Sequence, residues 1–101
     1  MSTVIRGKDH ALGNRLKRLV HEALHEDLCE VRFVKADGTR RVMLCSLHPS
    51  FLPDADYGGP SYETLVKRAA NPYLTTVWDI EKQEWRAFLL DRFLRLTTIG
   101  D

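Results

Sequence analysis

The stretch from Trp78 to Asp91, Trp-Asp-Ile-Glu-Lys-Gln-Glu-Trp-Arg-Ala-Phe-Leu-Leu-Asp, constrains the fold of this chain more than any other. It holds both tryptophans, Trp78 and Trp85, with aromatic and aliphatic residues on either side of a polar, charged turn. That is the pattern of two paired strands. Successive side chains of a strand point to opposite faces, so Trp85 directed into a core sends Arg86 outward. The hairpin residues Trp78, Trp85, Phe88 and Leu90 are predicted to be core, and Arg86 to lie outside within reach of Asp79 or Asp91.

Period two also marks residues 29–35 and 39–47, on either side of Ala36-Asp37-Gly38, where Asp-Gly is a turn signal. If Asp37-Gly38 forms a two-residue turn, Val31 opposes Leu44 and Phe33 opposes Val42, a consistently apolar face. If Ala36-Asp37-Gly38 forms a three-residue loop with a glycine bulge, Phe33 opposes Arg41 and Cys29 opposes Cys45. Apolar matching favours the first register and leaves the second open. Arg32, Arg40 and Arg41 then form a basic ridge on or near the exposed side. With 73–79, 85–90 and a last strand at 94–98, five short strands are predicted. Five bent antiparallel strands can close into a small barrel, which removes most exposed edges.

Ahead of the strands, Leu12, Leu16, Leu19, Val20, Ala23 and Leu24 fall on one helical stripe, predicting an amphipathic helix over 9–25 with Asp9 as its N-cap. The helix contains His21-Glu22-Ala23-Leu24-His25, a match to H-E-x-x-H, in which two histidines bind zinc and the glutamate activates its water. On a helical wheel His21 and His25 lie opposite Leu12, Leu16 and Ala23, so they are predicted to face solvent. The match therefore reads as chance, with no metal and no cofactor. Residues 48–72 interrupt the strands. Two prolines and an acidic, glycine-rich run give a surface loop under which Phe51 and Leu52 tuck, and a short helix over 61–70 starts at Ser61 and stops at Asn71-Pro72.

A chain of 101 residues allows one domain, 1–101, with a single core. Its 15 Lys and Arg against 14 Asp and Glu leave a net charge of +1, so any affinity for a polyanion must be local. Cys29 and Cys45 are too few for a disulfide framework and lack zinc-site spacing. Without a membrane-length apolar run or a secretory leader, a cytoplasmic protein is predicted.

The order Val-x-Phe-x-Lys-x-Asp-Gly-Thr, then Cys-x-Leu-x-Pro-x-x-Leu-Pro, then Val-Trp-Asp-x-Glu-x-x-x-Trp-Arg-x-Phe-x-Leu-Asp resembles the small WYL-like family of tailed phages. The resemblance spans 29–53 and 73–96. It implies an Sm-like, SH3-type β-barrel over 29–98, makes Trp78, Asp79, Trp85, Arg86, Phe88, Leu90 and Asp91 signature positions, and implies a phage origin. The insertion and the histidine-rich helix stand outside its pattern.

Two functions follow as expectations. One is binding of nucleic acid or a nucleotide through Arg32, Arg40, Arg41, Arg86, Arg92 and Arg95, with Tyr73, Trp78 and Trp85 near them for stacking. The other is a protein-binding adaptor that inhibits or redirects a host enzyme or defence complex. An enzyme is not expected, because no nucleophile, base and orienting group assemble from the spacing. A homo-oligomer remains open.

Overall fold

The computed structural model describes residues 3–53 and 62–99. Among them six strands form one antiparallel sheet: β1 (Val4–Arg6), β2 (Cys29–Val34), β3 (Arg40–Ser46), β4 (Leu74–Asp79), β5 (Glu84–Leu89) and β6 (Phe93–Thr98). Their spatial order is β1-β6-β2-β3-β4-β5. Two features depart from the expectation of five strands in a closed barrel. The three-residue β1 is too short to show a period in sequence, yet it pairs with β6 from Val4↔Thr97 to Arg6↔Arg95. No ladder joins β5 to β1 among the described residues, so the sheet curls but keeps two edges.

The β2–β3 hairpin takes the register that apolar matching disfavoured. Cys29 faces Cys45, Val31 faces Met43 and Phe33 faces Arg41. The turn decides this. Lys35 N–H donates to Thr39 O at 2.8 Å, Gly38 N–H donates to Lys35 O at 2.9 Å, and Gly38 has φ +88°, a three-residue loop ending in a glycine bulge. Asp37 Oδ1 fixes it by accepting from the Thr39 amide and hydroxyl, which also holds the Asp37 carboxyl below its ordinary pKa. The inner face thus receives Cys29, Val31, Met43 and Cys45, all buried, while Val42 is 48% exposed. Matching Val42 and Leu44 to the core overlooked that Met43 and Cys45 fill the same space one residue along.

Helix α1 (Asn14–Glu26) starts five residues later than predicted and is not capped by Asp9. Residues Gly7–Asp9 form a 3-10 turn, and Gly13, at φ +143°, occupies the N-cap in a conformation that L side chains rarely adopt. Leu12 is therefore off the helix and exposed. The rest of the stripe holds: Leu16, Val20, Ala23 and Leu24 are buried against the inner face of the sheet. Burying a leucine or valine so completely is worth about 1.5–3 kcal/mol. The end of α1 is tied to β3, since Ser46 Oγ lies 2.8 Å from Asp27 O and 3.2 Å from Leu24 O, and Leu47 N–H donates to Leu24 O. These contacts satisfy carbonyls that a helix end leaves open. Phe88 stacks between Phe33 and Phe93, with centroids 5.7 and 6.2 Å away, and completes the core.

Within the insertion, Pro49–Phe51 is a 3-10 turn whose Phe51 is exposed rather than tucked under, its ring held at the surface by an edge contact with His48. Helix α2 (Tyr62–Ala70) follows. The predicted helix start at Ser61 and the acidic, glycine-rich run before it lie outside the described residues.

Candidate functional site: an arginine ladder on the outer face

Alternation sends every second residue of β1, β6 and β2 outward, and the registers bring three arginines into one row. Arg6 faces Arg95 and Arg95 faces Arg32, across three adjacent strands. The row continues to Val42 on β3. With strands about 4.8 Å apart, three guanidinium stems start within about 10 Å of one another. Arg40, opposite Val34 in the next row, and Lys8, just beyond β1, join them around a shallow groove of about 530 Å³ also lined by Phe93 and Leu94. Among the described residues the ladder's ion pair is Arg32 Nε with Glu30 Oε1 at 3.0 Å, an exposed contact. A register shift between Arg32 and Phe33 against β6 lets Arg95 stay opposite Arg32 while Phe93 turns inward. Gly7 fixes the corner beside it, because a Cβ there would clash with the Phe93 carbonyl oxygen.

Of the predicted site residues, the structure gathers Arg32, Arg40 and Arg95 here and adds Arg6 and Lys8. Arg92 stands apart on the 3-10 turn Leu90–Arg92, donating to Lys35 O at 3.2 Å. Tyr73 is exposed at the start of β4, where its carbonyl accepts from Leu90 N–H. It is not on the ladder's strands and offers no stacking surface beside them.

Arg41 is not part of the ridge, which corrects that expectation, and Arg86 makes the predicted contact with Asp79. Each places a nitrogen 3.5 Å from Asp79 Oδ2, and Asp79 is 1% exposed. Its other oxygen, Oδ1, accepts from the Glu81 and Lys82 amides at 3.0 Å and so builds the β4–β5 turn, which Gln83 closes at φ +55°. Arg86 also pairs with Glu84. The parity of β5 is the reverse of that expected: Arg86 pairs with Val77 and shares the face of Phe88, whereas Trp85 pairs with Trp78 on the other face. The two indoles meet edge to face, centroids 5.4 Å apart. Trp78 is buried and Trp85 half-buried, neither of them within the barrel's inner cluster. Phe88 and Leu90 are buried, but Asp91 is exposed and not a core residue.

The Trp85 face is covered by the helices. Lys17, His21 and His25 of α1, Arg68 and Ala69 of α2, and Leu47, Leu74, Thr76 and Trp85 surround a cavity of about 310 Å³. Lys17 Nζ donates to Arg68 O, Ala69 O and Asn71 O at 2.7–3.2 Å, a cation at the negative end of α2. Burial lowers its pKa. His21, predicted to face solvent, is half-buried because α2 covers a second face of α1 that a single-stripe wheel does not show. Burial, then Lys17, then His25, push its pKa down to about 4. Its ring centroid is 6.2 Å from that of His25, while Glu22 is exposed. Among the described residues no group of three or more His, Cys, Asp or Glu is placed to hold a metal.

The curled antiparallel sheet with a helix packed on its inner face agrees with one further finding: residues 17–94 match the family model described as WYL_2, Sm-like SH3 beta-barrel fold. The chain belongs to the WYL_2 family. No curated protein and no solved structure matches it. The match takes in His21, His25 and the insertion, which the resemblance left outside its pattern, and it leaves out residues 1–16 and 95–101, with Arg6, Lys8 and Arg95. No helix among the described residues is long and apolar enough to cross a membrane.

Proposed function

We propose that this WYL_2 protein binds nucleic acid along the outer face of β1, β6 and β2, through the phosphate backbone. The observation that carries this is the row Arg6, Arg95, Arg32. Like charges directly opposite across strands are destabilising, so three in succession work against the sheet unless a polyanion neutralises them. Arg40 and Lys8 widen the same positive groove, and a net charge of +1 means that this field is local. Arginines supply forked donors suited to phosphate oxygens. The aromatic residues named for stacking, Tyr73, Trp78 and Trp85, lie elsewhere, which favours sequence-independent backbone contacts over base readout. The resemblance to small WYL-like proteins of tailed phages supports a phage accessory role in the host cytoplasm. The adaptor reading rests on exposed apolar residues such as Val4, Val42, Leu89 and Leu94, which are spread over β1, β3, β5 and β6.

Fluorescence anisotropy with single-stranded and duplex DNA and RNA, from 50 to 200 mM salt, tests it. Each phosphate contact contributes roughly one unit to the slope of log affinity against log salt. Arg6→Gln with Arg95→Gln should weaken binding to every sequence and flatten that slope by about two. Lys67→Gln, exposed on α2, should leave it unchanged. Absence of binding at the lowest salt, or an equal loss with Lys67→Gln, would overturn the proposal in favour of a protein partner.

A further inference from the structure

The cavity between α1, α2 and Trp85 belongs to neither the ladder nor the Asp79 turn. Its volume, about 310 Å³, lies at the lower end of small-molecule sites. Leu47, Leu74 and the half-buried Trp85 give it an apolar body suited to a flat ring. Among the described residues its charged lining is all basic, with no Asp or Glu. Among those groups Lys17 is engaged by three carbonyls, so it contributes field rather than a free donor. Arg68 differs. Its guanidinium makes one 3.4 Å contact, to Thr76 Oγ1, and has no carboxylate partner among the described residues. His21 Nε2 is buried in the same wall without a hydrogen-bond partner, a state that native interiors rarely leave uncompensated.

The geometry points to a binding site for a small aromatic monocarboxylate, its ring against Trp85, Leu47 and Leu74 and its carboxylate on Arg68. A guanidinium receives a carboxylate through two parallel hydrogen bonds. A single negative charge meets one unpaired arginine there. A phosphate dianion would have to shed more water in an apolar cavity than that arginine returns. The titratable and charged groups facing the site are Lys17, His21 and His25 from α1 and Arg68 from α2; β4 and β5 contribute only Leu74, Thr76 and Trp85. All four are cationic or neutral, so none opposes an anion.

Benzoate and its neutral counterpart benzamide are the probes, titrated into the ¹⁵N-labelled full chain. Benzoate should shift the Trp85 indole N–H and the ring nitrogens of His21 saturably, leaving the amides of Arg32 and Arg95 in place. Benzamide, and benzoate with Arg68→Gln, should bind at least about tenfold more weakly. Ala69→Leu, an exposed position on α2 whose side chain narrows the cavity, should abolish the benzoate shifts while the spectrum stays folded. The proposal is overturned if the Trp85 indole is unmoved at saturating benzoate, if benzamide binds equally well, or if Ala69→Leu binds as the parent does. It is equally overturned if inorganic phosphate competes with benzoate, or if the shifts centre on the ladder.

Discussion

Arg41 and Arg86 converge on one buried carboxylate, whereas Arg6, Arg95 and Arg32 stand in line across three strands with one half-buried glutamate, Glu30, beside Arg32. The residue type is the same and the consequences are opposite. At Asp79 the arginines compensate a charge that has left water, which a buried anion requires. On the outer face, among the described residues, Glu30 pairs with Arg32 alone, and the proximity of the arginines raises the energy of the fold. What separates structural from available arginines is strand register, a property that the number of arginines in the sequence does not carry.

The first way to break the comparison is to remove the carboxylate. Asp79→Ala withdraws the acceptor of the Glu81 and Lys82 amides and leaves Arg41 and Arg86 facing an apolar gap. Losing one partner of a fully buried pair costs about 3–5 kcal/mol, and because the two arginines are partly exposed we expect about 2–4 kcal/mol here. Asp79→Asn keeps a turn acceptor and should lose less. The urea midpoints of the two variants measure this. A midpoint for Asp79→Ala equal to that of the parent would mean that the Asp79 cluster stabilises no more than the ladder does.

How much of this was legible in the sequence follows from the same distinction. The strands 29–34 and 74–89, the stripe of Leu16, Val20, Ala23 and Leu24, and the Asp37-Gly38 turn all show in local pattern, because local pattern produces them. Register does not. Val42 and Leu44 match Val31 and Phe33 as well as Met43 and Cys45 match Cys29 and Val31, and only the bulge at Gly38 separates the two solutions. The same limit applies to Trp85 and Arg86, where alternation is certain but its phase is not. The strand that carries Arg6 has no sequence signal because three residues carry no period, and its partner Arg95 lies at the far end of the chain. The wheel of α1 alone does not show the burial of His21, because α2, from another segment, covers it.

His21 gives the comparison a third case, a base without an ion pair and half withdrawn from water. Its pKa falls from an ordinary 6.5 to about 4 on folding, chiefly through burial. The unfolded chain therefore binds this proton more readily. Stability from keeping the ring neutral is fully present above pH 6.5, is lost as pH falls toward 4, and changes no further below that. Allowing for the ring's partial exposure, the loss amounts to about 1–2 kcal/mol. Urea midpoints at pH 7.5, 5.5 and 4.5, for the parent and for His21→Gln, isolate it from carboxylate effects, which both share. Parallel profiles would show that His21 titrates as though exposed.

The smallest expected effect sharpens the contrast most, because its sign is opposite. Arg6 is exposed on the edge strand β1, and its neighbour across the sheet is Arg95. Exchanging it for threonine relieves one like-charge contact, retains strand propensity and removes little buried surface. Arg6→Thr should therefore be more stable than the parent, by about 0.2–1 kcal/mol at low ionic strength. Salt screens exposed charges over about 10 Å at 0.1 M, so the difference should shrink as sodium chloride is added. Thermal melts of parent and variant across that range read both effects. A variant that is less stable at low salt would show Arg6 to be held by the fold as Arg41 and Arg86 are, and the ladder would lose its claim to be a surface kept for a polyanion.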